Sequence, residues 1–265
     1  MKTHSDGCPI IDDKSNRELL DLDGQIPSYG RGHIPRDYGA VPLGGLPYAG
    51  PPKKIFPRSE WKDRIKDLQK KKIVLSEMAR AAGVKTKNQA QTNFCWCNAP
   101  VLCVEILRAV AGETYIELSP ASVACQVNNF RNEGGWGGQA VRHLAEHGAS
   151  PVKYWPANAI NRTYDNDESR ASRVRHRVTE WTELRPQSFD DMMSELLCFR
   201  PVAIGLNYWR HEITAVDPVI LADGRFGARI WNSWGDGWGK NGMAILDEAH
   251  CTPDDAISPL SVVAL

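Results

Sequence analysis

The chain has 265 residues, 42% of them apolar, and its 32 basic and 32 acidic side chains cancel. A chain of this length can bury a sizeable core, and its balanced charge provides no field that would favour nucleic acid or an anionic membrane. It contains no run of about 18 apolar residues, the least a membrane-spanning helix needs, so no membrane partner is expected.

The start, Met1 to Cys8, lacks the apolar core of a signal peptide. Residues 1–55 are rich in Gly, Pro, Asp and Lys and show no helical period, which reads as an extended arm or a disordered tail. The Lys-rich stretch Trp61 to Gly83 reads as one or two amphipathic helices whose cations face solvent. Next comes Asn88 to Trp96, where Gln89 precedes a Cys95-Trp96 pair that opens an apolar helical run through Val110. A thiol at a helix N-terminus meets the positive end of the backbone dipole, which favours the attacking thiolate. A lone cysteine argues little, because free cysteine is among the most buried residue types. Pro100 is tolerable if the helix starts near it and kinks it otherwise.

Ser188 to Cys198 reads as an N-capped amphipathic helix that runs into a buried strand over Arg200 to Leu206. His211 opens a further strand, and Asp223-Gly224 marks a hairpin turn before Ile230 to Gly242. A hairpin there brings His211 beside Asn232, so that Asn232 orients the imidazole that takes the Cys95 proton.

The order Gln89, Cys95-Trp96, Gly134-Gly135-Trp136, His211 and Asn232-Ser233-Trp234-Gly235 resembles the papain family of cysteine peptidases. The likeness spans roughly residues 55 to 265, and the tail motif Asn-Ser-Trp-Gly-x-Gly-Trp-Gly-x-Asn-Gly is present in full. The resemblance implies an α+β, papain-like two-lobe fold with a groove between the lobes. The helical left lobe would span about residues 84–175 and the antiparallel right lobe about residues 176–265. Residues 56–265 would then be the catalytic domain, with an inserted Lys-rich segment at about 62–83, and residues 1–55 an N-terminal arm or short pro-segment. The long helical pro-domain usual in the family is absent, which favours an arm laid on the surface over an inhibitory segment in the groove.

The function implied is thiol-dependent peptide hydrolysis, most naturally by an endopeptidase. Cys95, His211 and Asn232 would do the chemistry, and the Gln89 side chain with the Cys95 N–H would hold the oxyanion. Trp234 would cover the His211–Asn232 bond with Trp238 behind it, whereas Trp181 and Trp209 read as core and turn anchors. Gly134, Gly135 and Trp136 would wall the substrate cleft, and Leu260 would floor an apolar specificity pocket. The partner would be a peptide or protein substrate, with no cofactor and no metal, and the arm could dock to a larger assembly. Two alternatives stay open: another thiol acyl-transfer enzyme (amidase, isopeptidase or transpeptidase), or a non-catalytic structural or binding protein on the same fold. Arg210, Glu212, Asn93 and Phe94 depart from the residues usual at their positions, so the site could be crowded or one subsite narrowed.

Seven cysteines leave at least one unpaired, and their spacing matches no zinc site. Thr92 and Asn132 stand where secreted relatives in the family place a bridging pair. Together with the polar start of the chain, this leads to an expectation of a cytoplasmic or other reducing compartment. The remaining histidines, His4, His33, His143, His147, His176 and His250, are scattered. His143 and His147 have i, i+4 spacing without a third ligand, which reads as an ordinary exposed helix face.

Overall fold

The computed structural model describes residues 2–46 and 49–263. The Lys-rich stretch forms two helices, α1 (Arg58–Lys70) and α2 (Leu75–Ala81). α1 buries Trp61 and Ile65 and leaves its lysines in solvent, as its amphipathic spacing requires. α3 (Cys95–Val110) is buried on nearly every face, so it is the spine of the molecule rather than a surface helix. It starts at Cys95, which places Pro100 in its second turn, and the helix continues through it.

Around α3 pack α4 (Pro120–Val127) and α5 (Gly137–Glu146), with α6 (Asp167–Arg173) further along the chain. The Ser119 hydroxyl caps α4 by accepting from Ser122 N, and Asn166 caps α6 in the same way through Ser169 N. Val101, Val104, Ala121, Val141 and Leu144 from these helices share one apolar core with Trp96 and Trp155. This is the helical lobe.

Among the described residues, the second lobe is a sheet of eight strands. They are β1 (Ile10–Ile11), β2 (Ala49–Gly50), β3 (Val178–Leu184), β4 (Val202–Leu206), β5 (His211–Ile220), β6 (Phe226–Trp231), β7 (Met243–Asp247) and β8 (Asp255–Val262). The spatial order is β1-β7-β6-β5-β4-β8-β3-β2. All pairings among the six longer strands are antiparallel, whereas β1 and β2 add to the two edges in parallel. α7 (Phe189–Leu197) is the expected N-capped helix, with Ser188 Oγ accepting from Asp191 N at 3.2 Å, and the short α8 (Glu248–Cys251) follows β7. The Asp223-Gly224 turn joins β5 to β6 as expected.

The N-terminal arm is ordered on its own chain, with one strand on each edge of the sheet and the segment between them crossing the molecule. A tail of this composition cannot build a core of its own, but it can complete open sheet edges and cover apolar surface. Among the described residues no helix is long and apolar enough to cross a membrane.

Candidate active site

His211 opens β5 and Asn232 follows β6, so the hairpin register sets them side by side. His211 Nε2 lies 2.7 Å from Asn232 Oδ1, and Nδ1 has no hydrogen-bond partner. With Nε2 as the donor to the amide oxygen, Nδ1 keeps a lone pair able to accept a proton. Trp234 stacks on the imidazole at 4.5 Å, and Trp209 meets it edge-on at 5.0 Å. Trp209 is therefore a wall of the site as well as a turn anchor. Trp238 backs Trp234 at 6.1 Å and donates its indole N–H to Leu19 O.

Cys95 is the first residue of α3 and is fully buried. Backbone N–H groups of Glu212, Trp96 and His33 surround its thiol, which places it beside the residue that follows His211 on β5. Burial, reinforced by the Glu212 carboxylate, nevertheless pushes the thiol up to about 12. Burial also pushes His211 down to about 3, against the opposing bond to Asn232. The closed site thus holds a neutral thiol and a neutral imidazole, and the thiolate expected from the helix dipole is overruled. A helix terminus supplies roughly 0.3–1 kcal/mol, less than full desolvation removes.

Gln89 is held on every side. Its backbone N–H donates to Ser233 O at 2.8 Å, and its Oε1 accepts from Ser233 Oγ at 2.6 Å. Just before it, the buried Lys87 bonds Glu105 on α3 at 2.5 Å and Leu118 O at 2.9 Å, tying this loop to the helix that Cys95 opens. Glu105 was detectable as the one acid inside the apolar run, but its partner was not. The Gln89 side-chain Nε2 donates at 2.8 Å to two carbonyls, Thr92 O and Gly30 O.

Gly30 belongs to the arm, and it is not alone there. Tyr29 stacks on Trp234 at 4.3 Å, and the Trp234 indole N–H donates to the same Gly30 carbonyl at 3.0 Å. Gly135 N donates to Gly32 O at 2.9 Å, and Ile34 N donates to Gly135 O at 2.8 Å, a parallel bridge along the glycine wall. His33 N donates to Arg210 O at 3.3 Å. Arg36 then lies over the Trp136 ring at 4.7 Å and pairs with Glu183. A Cβ at Gly32 would come within 2.0 Å of Asn93 O, so only glycine fits this approach. The arm therefore fills the groove, and the expectation of a surface-laid arm is overturned. Its sequence signal was the pair of glycines in Gly30-Arg31-Gly32-His33.

Other expected residues fall differently. Gly134 and Gly135 line the groove, whereas the Trp136 ring is turned toward Arg36 and Gly138. Leu260 does not floor a pocket here. It lies on the β3–β8 ladder beyond the Pro259–Trp181 pair, about 17 Å along the strand from Asp255, the residue that does reach the groove. Phe94 is buried in the helical core, and Asn93 meets the arm through its backbone. His143 is buried rather than exposed, and burial lowers it to about 3. All seven cysteines are free. Where the bridging pair would stand, Asn132 instead accepts from Asn93 N at 2.7 Å and takes the Asn93 side-chain amide on its carbonyl at 2.9 Å. The same two loops are thus tied by hydrogen bonds.

Glu212, one residue beyond His211, points into the groove and is fully buried, with its carboxyl raised well above the usual range by burial. Asp255 is pushed up to about 7 by burial, with the Glu212 charge adding to it.

A cysteine that opens a buried helix thus packs against a strand hairpin that carries a His–Asn pair. The model of the papain family cysteine proteases matches residues 76–221, more than half of the chain, and the chain belongs to that family. It is 22% identical over 188 residues to the senescence-specific cysteine protease of Arabidopsis thaliana, covering 62% of this chain and 53% of that one. It is 24% identical over 176 residues to cathepsin L 1 of Paramecium tetraurelia, covering 59% and 53%. The chain thus spans about half the length of the curated relatives it matches. Among solved structures it is similar in fold to procathepsin L 3 of Tenebrio molitor larval midgut. That match has a TM-score of 0.62 at 17% identity and covers 94% of this chain and 80% of that one. It is likewise similar to xylellain, a cysteine protease from Xylella fastidiosa, with a TM-score of 0.57 at 15% identity and 99% and 98% covered.

Proposed function

We propose that this chain is a cysteine endopeptidase held in a latent state by its own N-terminal segment. The observation that carries the proposal is the His211–Asn232 bond of 2.7 Å with a free Nδ1, on a strand whose next residue, Glu212, sets its backbone N–H at the Cys95 thiol. His211 takes the Cys95 proton, the thiolate attacks the scissile carbonyl, and the Gln89 amide with the Cys95 N–H holds the oxyanion. His211 then protonates the leaving amine, and water hydrolyses the thioester.

The aim of Gln89 Nε2 at a main-chain carbonyl supports its role, because a substrate carbonyl would need the same donor. In the latent state Gly30 supplies that carbonyl. The arm is then a short pro-segment, and release of residues 29–36 comes before turnover. The relatives solved as proforms are consistent with such a segment. Free thiols throughout support a reducing compartment.

The test is cleavage of a mixed peptide library together with labelling by an epoxide thiol trap, before and after the arm is nicked, with Cys95→Ala as the blank. Labelling at Cys95 and new peptide termini after nicking are expected. A folded, opened protein that neither labels nor cleaves would sink the proposal. Transfer to an added amine in place of water would move it to the acyl-transfer alternative.

A further inference from the structure

Beneath the arm, three side chains from distant parts of the chain meet. Gly205 on β4 pairs with Glu212 on β5 and with Asp255 on β8. Directly opposed residues of an antiparallel sheet point to the same face, so two carboxylates stand on either side of a residue that has no side chain. Their Cα atoms are about 10 Å apart by this register. The gap above Gly205 holds the His33 imidazole, whose Cε1 would lie 2.3 Å from a Cβ at that position.

The polar accounting there does not close. His33 Nε2 lies 3.0 Å from Asn207 Oδ1, and as a donor to that carbonyl it leaves Nδ1 with a lone pair. Nδ1 faces Glu212 Oε2 at 3.5 Å. Nδ1, both Glu212 oxygens and Asp255 Oδ2 are buried without a hydrogen-bond partner. The Gly137 N–H at the amino end of α5 favours the Glu212 carboxylate but falls outside hydrogen-bond geometry. Arg36, whose charge reaches Asp255, is engaged with Glu183 and with the Val41 and Pro42 carbonyls. Four buried polar atoms thus converge without a hydrogen-bond partner, and the ligand atoms of His33, Glu212 and Asp255 all lie within 4.8 Å of one another. Buried acceptors are costly to leave unpaired, and a cation satisfies all of them at once.

We propose that His33, Glu212 and Asp255 form a divalent-cation site of the zinc class that clamps the N-terminal arm into the groove. Two carboxylates balance the dipositive charge, and the imidazole selects a transition-type ion over magnesium or calcium. Bonds of about 2.0–2.2 Å draw the three side chains together. Asn207 takes the outer-sphere role, fixing the ring so that Nδ1 faces the ion. The ion joins the arm to β5 and β8, so losing it frees the arm. The cation site stands whether or not Cys95 is a peptidase nucleophile, and only its effect on cleavage rests on the function proposed above.

The test uses the full chain carrying Cys95→Ser, which removes the nearby thiol as a stray ligand. After incubation with zinc and gel filtration, bound metal is measured by elemental analysis and unfolding is followed with and without chelator. About one equivalent of zinc is expected in Cys95→Ser, and equally in that background with His147→Ala, which removes an exposed histidine. His33→Ala and Asp255→Asn are expected to bind about tenfold or more weakly. Zinc should also slow nicking of the exposed arm stretch at residues 22–28, and chelator should reverse this. Failure of Cys95→Ser to retain zinc, or equal retention by His33→Ala, overturns the site. If Asp255→Asn does not fold, His33→Ala on the arm decides alone. An intact metal site in a protein that never labels at Cys95 would count against the peptidase alone.

Discussion

His211 and Glu212 are neighbours on β5, and the pleat sends their side chains to opposite faces, into two regions that differ in how complete they are. The His211 face is the more complete: its ring is bonded to Asn232, stacked on by Trp234 and met edge-on by Trp209, with His211 Nδ1 and Asn232 Nδ2 left unpaired. The Glu212 face is less complete, with four buried polar atoms gathered around Gly205 and no hydrogen-bond partner for any of them. A buried cluster of unpaired polar atoms is what a cation would satisfy. The arm links the two faces, placing the Gly30 carbonyl on the Gln89 amide and His33 among the carboxylates.

The largest test of the first face is Cys95→Ala, which should cost about 10^6-fold in kcat in the opened protein, measured by single-peptide hydrolysis. Residual cleavage near wild type would assign the chemistry elsewhere. Gln89→Ala should lower kcat by about 10^2–10^3-fold with KM nearly unchanged, since its donor matters most when the oxyanion forms. An unchanged kcat would leave Gln89 as only an anchor for Gly30.

A smaller effect separates the arm from the machinery. Gly32→Val places a side chain against Asn93 O, so it should expel the arm and raise the rate of Cys95 labelling at neutral pH by about tenfold or more. The pH profile carries the sign. In the closed protein burial raises the thiol to about 12, so labelling should climb through the alkaline range. In Gly32→Val the thiol is solvated, and labelling should level off at lower pH. Identical profiles for the two proteins would mean that the arm does not control the thiol. The smallest effect is Ser188→Ala, which removes the α7 cap and should cost about 1 kcal/mol of stability while leaving the labelling profile in place. A shifted profile there would show that the profile reports global loosening rather than the arm.

Much of the His211 face was legible in the sequence. Gln89, Cys95, His211 and Asn232 sit at element boundaries that local signals mark: an apolar run, a strand start and an Asp-Gly turn. The two Lys-rich helices and the Ser188-capped helix were legible for the same reason, since capping and amphipathic spacing act within a few residues. The arm was not. Its composition describes a chain without a core, and nothing local says that it completes two sheet edges and runs through a groove. Leu260 was misplaced because the pocket is set by which strands lie side by side, and it is Asp255, earlier on β8, that pairs beside Gly205.

By itself, the sequence determined the candidate reactive groups, their order along the chain and the family of the chain, because these are written in residue types and short spacings. Only the tertiary structure decided that the thiol and imidazole rest neutral, that the Gly30 carbonyl takes the Gln89 amide, and that His33 meets Glu212 and Asp255. Each of those outcomes depends on burial and strand register, which sum contributions from segments more than a hundred residues apart.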